Sequence, residues 1–194
     1  MRKIILIFSI LLVLNACAVD NSKESIVPEE REREYYLKET MPYLSEIISE
    51  FELIYSENYM YTMEMALNDE YPDFSEFTPN MEASSRRHLD LKMKLVTEQI
   101  PTEGLRESHR EKIDAFKKTM ILVCGKREKA SDIPLVELEA LGDDYYYEDI
   151  RPYLVESLNM VSDSKEDVSI AFSDLYSIEH DLDIKAEESI LPRN

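Results

Sequence analysis

Glycine is nearly missing from this chain: Gly104, Gly125 and Gly142 are the only three in 194 residues. All-β sandwiches and barrels draw on glycine at many tight turns, so that class is disfavoured, and loops that cradle phosphate have little glycine to form from. Tryptophan is absent, and there are two cysteines, Cys17 and Cys124, and three histidines. Positive charge is also scarce. Twenty-two Lys and Arg face 41 Asp and Glu, for a net charge of −19 at pH 7. So acidic a surface argues against nucleic acid as a partner and favours solubility and cationic partners. There is no Gly-x-Ser-x-Gly elbow, Walker loop, His-Glu-x-x-His helix or Cys-x-x-Cys-His haem site. The chain therefore carries no motif of nucleophilic, nucleotide or haem chemistry, and no cofactor is expected.

What the chain does have begins at its first residues. Met1-Arg2-Lys3 is followed by the apolar run Ile4 to Leu14, the pattern of a secretory signal. As a helix that run spans ~16 Å, short of the ~30 Å hydrocarbon core of a bilayer. Leu12-Val13-Leu14-Asn15-Ala16-Cys17 places a cysteine directly after a small residue. This stretch resembles the lipobox of bacterial lipoproteins. The resemblance implies cleavage between Ala16 and Cys17 and a covalent diacylglyceryl lipid on Cys17. It implies a location outside the cytoplasm, with the chain lipid-anchored to a bacterial membrane. Because Ala18 rather than Asp follows the cysteine, that is the outer membrane in a two-membrane envelope. In a one-membrane envelope it is the outer face of the cytoplasmic membrane. The mature part is similar in architecture to small helical envelope lipoproteins of unassigned function.

The remainder reads as one domain. Residues 1–16 are the signal peptide, 17–34 a lipidated tether, 35–188 a helical bundle domain and 189–194 a frayed tail. Residues 18–28, as a flexible chain, span ~18 Å. Apolar residues recur at three- and four-residue steps, and predict helices over about 42–68, 79–99 and 103–129. A fourth opens near Asp132 and Pro134, and a last covers about 165–187. Pro42 and Pro152 should kink or restart their helices. Thr78 and Thr102 are candidate N-caps. Leu89, Met93, Val96 and Ile100 form the predicted apolar stripe of the second helix. Leu105, His109, Ile113, Phe116, Met120 and Val123 form that of the third. No stretch alternates long enough for a strand. The fold class is all-α, a four- to five-helix antiparallel bundle after the signal peptide and tether.

Charge is uneven along the domain. Residues 80–129 hold 12 basic and 8 acidic side chains, whereas 18–79 hold 4 and 16, and 130–194 hold 4 and 17. A basic hairpin between acidic flanks is first read as pairing inside the bundle. As a surface, Arg86, Arg87, Lys92, Lys94, Arg110, Lys117 and Lys118 would form a basic patch for anionic lipid. His109, on an apolar stripe, reads as a hydrogen-bonded core histidine. Glu-x-x-His pairs are absent, and no metal site is assigned. Met60 to Met65 reads as packing rather than copper binding. The acidic runs Asp69–Glu76 and Gly142–Asp149 lack EF-hand spacing. Cys124, within Met120 to Cys124, reads as a buried inert thiol. Tyrosine suits half-wet positions, so the tyrosines first read as core-edge packing with the hydroxyl in solvent; as a partner surface, Tyr145, Tyr146 and Tyr147 are the candidate tract. The sequence thus reads as a membrane-anchored, non-catalytic protein-interaction or adaptor module with a protein partner in the envelope. The alternative is a small-ligand or metal-ion binding lipoprotein.

Overall fold

The computed structural model describes residues 27–68, 74–142 and 146–191, all helix and connection with no strand among them. Four helices make the fold. Helix α1 runs unbroken from Glu29 to Asn68. Helices α2 (Phe74–Thr97), α3 (Glu107–Leu141) and α4 (Tyr147–Asp181) follow. None of the described helices is long and apolar enough to cross a membrane.

Spacing explains the bundle. Phe77, Met81, Ser84, His88, Leu91 and Leu95 of α2 are buried at alternating four- and three-residue steps. In α3, His109, Ile113, Phe116, Met120, Val123, Arg127, Ala130 and Pro134 keep the same rhythm. In α4, Ile150, Leu154, Ser157, Val161, Ser164, Ala171, Leu175 and Ile178 do so too. A 3.5-residue repeat of this kind keeps one seam facing a neighbouring helix. Consecutive helices pack antiparallel, and the start of α4 also meets the C-terminal part of α1.

Helix α1 departs from that rhythm at two π-helical stretches, Tyr36–Thr40 and Ile54–Met60. The first lies just ahead of Pro42, whose ring would clash with the carbonyl four residues back and whose nitrogen has no hydrogen to donate. A widened turn there lets the helix continue. The second shifts the buried face by one position. Leu44, Ile47, Phe51 and Ile54 lead to Tyr59, Thr62, Met63 and Ala66, leaving Tyr61 and Met65 exposed.

The core has two parts. One joins the N-terminal half of α1 to the second half of α2, the first half of α3 and the end of α4. The other joins the C-terminal end of α1 to the opposite halves of those helices. A polar layer lies near their junction. The hydroxyls of Ser84 and Ser131 are 2.9 Å apart, those of Tyr59 and Ser157 2.6 Å, and Ser157 donates to the Ala130 carbonyl at 2.6 Å. Within this layer Arg127 is buried, with its guanidinium 4.2 Å from the Phe51 ring centre and 4.5 Å from that of Tyr55.

Several boundaries differ from the sequence reading. The helix begins at Glu29, inside the stretch expected to be tether. Pro134 and Pro152 lie within α3 and α4 and end neither. Helix α2 buries the face holding Leu91 and Leu95, and Leu89, Met93 and Val96 face solvent. Thr102 does not cap α3; the N-cap position is Arg106, four residues later, and the helix starts at Glu107. The tail is tied down as far as Leu191: Arg33 pairs with Glu188 at 2.8 Å, Ser189 donates to Glu179 at 2.5 Å, and Leu191 is buried.

Candidate functional site

The bundle has two chemically distinct ends. At one end, where α1 begins at Glu29, the α2–α3 connection and the end of α4 meet it. Glu32 is buried there. It accepts the Arg106 backbone N–H at 2.8 Å and a proton donated by His109 Nδ1 at 2.8 Å. The carboxylate thus caps the start of α3 from another helix, where the exposed N–H groups favour negative charge. His109 Nε2 lies 2.8 Å from Arg106 Nη2 and 3.4 Å from Asp181. Contact with His109 and the nearby Lys112 holds the Asp181 carboxyl below the usual carboxylate range. Gly104 fits the same corner. A Cβ there would lie 2.2 Å from the ring of Tyr35, whose hydroxyl donates to Glu103 at 2.6 Å. Every partner in this cluster is internal, so it reads as a clamp.

At the far end none of the described acidic side chains forms an ion pair. The sequence has no Lys or Arg between Lys38 and Arg86, nor between Lys129 and Arg151. Those stretches supply the later part of α1, the start of α2, the end of α3 and the start of α4. Between α2 and α3 they enclose an open groove of about 690 Å³. Phe74, Leu135, Val136 and Leu138 give it an apolar floor, and Glu82, Asp132 and Glu139 an acidic rim. Val136 is 59% exposed. The rim carboxylates form no ion pair among the described residues. Elsewhere bases and acids on facing helices neutralise each other. In the crease between α1 and α2, Arg87 meets Glu50 at 3.0 Å and Lys94 meets Glu46 at 2.5 Å.

The expected sites distribute as follows. Cys17, Ala16 and Tyr145 lie outside the described residues. Tyr146 is 79% exposed where α4 begins, and Tyr147 packs half-buried against the far-end core. Most of the seven basic residues are engaged locally. Arg87, Lys92, Lys94 and Arg110 pair with Glu50, Glu128, Glu46 and Glu107, and Lys117 donates to the Glu98 carbonyl. Arg86 and Lys118 are exposed and Arg110 is half-buried, on different turns of α2 and α3. The structure therefore spreads these seven residues along the hairpin and pairs most of them. His109 is a hydrogen-bonded core histidine. Cys124 is buried, and burial pushes its thiol up to about 12. Among the described residues no cluster of three His, Cys, Asp or Glu could hold a metal ion.

The groove itself was not anticipated. Its signal was present as the two base-free stretches, but these fall in separate parts of the sequence and become one surface only when α2 and α3 pack antiparallel. The chain matches no protein-family model, no curated protein and no solved structure.

Proposed function

We propose that the chain is a bacterial lipoprotein held outside the cytoplasm by lipid on Cys17, and that it acts as a non-catalytic interaction module for a protein partner in the envelope. The observation that carries this reading is the polarity of the bundle. The chain enters at the end clamped by Glu32 and His109, and the open acidic groove lies at the other end. A 35-residue helix is ~50 Å long. A body tethered through residues 17–28 would therefore present the groove well away from the lipid surface. Anchoring raises the local concentration of the module and so its apparent affinity without new contacts. Stable anchoring takes two or more acyl chains, as the lipobox resemblance implies.

The test is cross-linking in intact cells of the tagged full chain beside its Cys17→Ser form, with mass spectrometry of what is captured. One dominant protein adduct, weakened in Cys17→Ser, is the expected result. No specific adduct from well-expressed protein would overturn the reading.

A further inference from the structure

We propose that the groove between the start of α2 and the end of α3 is a docking site for a Lys/Arg-rich amphipathic helix of the partner protein. This rests on the module reading above and names the chemistry of its partner. Three observations select that occupant. The first is shape. The lining runs from Phe74 to Glu82 on α2 and from Asp132 to Gly142 on α3. At ~1.5 Å per residue these walls are ~12–15 Å long, between two and three helical turns. The second is the apolar floor. Val136 stands out into solvent, with Phe74, Leu135 and Leu138 beside it, and an amphipathic helix lays its apolar face into such a groove. The third is charge. Glu82, Asp132 and Glu139 flank the floor, and neither base-free stretch offers a lysine or arginine to neutralise them. An acidic or neutral helix would leave these carboxylates unpaired. A basic one pairs them on docking, and like-charge repulsion rejects acidic competitors.

The other open surfaces fit this occupant less well. The crease between α1 and α2 has its bases paired internally. The groove around Leu122 is lined by Lys92, Lys126 and Lys129 with Asp163, and Lys92 and Lys126 are already paired with Glu128 and Asp167, so it offers a basic helix no acidic rim.

The experiment uses the full chain in phosphatidylcholine nanodiscs, with empty nanodiscs as the blank. A fluorescent 18-residue Leu/Lys amphipathic helix is titrated in and read by anisotropy. A peptide of the same composition, scrambled to remove amphipathicity, is the control. The proposal expects saturable binding of the amphipathic peptide. Asp132→Lys with Glu139→Lys should weaken it about tenfold or more, and Val136→Asp should weaken it too. Glu57→Lys with Glu64→Lys on α1 makes the same change in net charge and should have little effect. All these positions are at least partly exposed, and circular dichroism checks that each variant stays helical. Equal binding of the scrambled peptide, or equal loss from the α1 variant, would reduce the effect to bulk acidity and overturn the proposal. Absence of binding would overturn it as well. If the cellular cross-link to a single partner survived that failure, the module reading would stand and only the groove assignment would fall.

Discussion

His88 is the residue whose protonation most directly reads out the core. It is fully buried, and its Nδ1 meets the Ser84 carbonyl at 2.9 Å. Burial, aided by the positive charge of Arg127, pushes its pKa down to about 3. The unfolded chain takes up that proton near the ordinary value of 6.5, whereas the folded chain does not. This contribution is therefore complete above pH 6.5 and is lost as pH falls from there toward 3. Between pH 7 and pH 5 the loss is on the order of 2 kcal/mol. Urea unfolding at both pH values should show wild type losing that much more stability than His88→Leu, and equal losses would contradict the assignment. Gly104 gives a second residue-scale test. Gly104→Ala pushes a methyl into the Tyr35 ring and should cost about 1–3 kcal/mol in urea unfolding. In a Tyr35→Ala background the same change should be nearly neutral, because the clash is then gone.

At the scale of elements, the helices were legible where apolar residues alone mark the seam. The α3 stripe from Leu105 to Val123 is buried as its spacing implies. The α2 stripe was misread because two of its core positions hold Ser84 and His88. Ser84 meets the Ser131 hydroxyl and His88 Nδ1 meets the Ser84 carbonyl, while His88 Nε2 is buried without a hydrogen-bond partner, and Leu89, Met93 and Val96 imitate a seam on the wrong face. Tyr61 and Met65 continue the α-helical period of α1, but the π-helical stretch at Ile54–Met60 adds to the turn and rotates them outward. Nothing in local spacing announces such a stretch. Glu32 was also silent in the sequence, because its partners lie more than 70 residues away. Its role is nonetheless testable. Glu32→Ala removes the cap of α3 and the partner of His109 together, and should cost about 3–5 kcal/mol. Thermal melts would show the loss, and hydrogen exchange should rise first in the opening turn of α3. An unchanged melt would mean that the clamp contributes nothing.

For the whole molecule, the all-α bundle is the part of the sequence reading that the structure shows, with four helices rather than five among the described residues. The groove was not legible in the sequence: Tyr146 is exposed but does not line it, and the rim of Glu82, Asp132 and Glu139 exists only after folding. The two ends have different roles in the proposed account. One end is locked by internal ion pairs near the tether, and the other offers unpaired carboxylates and apolar surface to a partner. The most direct measurement is photo-cross-linking in intact cells from single positions on the full chain. A photoreactive residue at Val136 samples the groove, and one at Leu122 samples an equally exposed site away from it. The account predicts one discrete protein adduct from Val136, joined to a segment with lysines or arginines flanking an apolar helical face, and none from Leu122. Adducts from Leu122 with Val136 silent would contradict it.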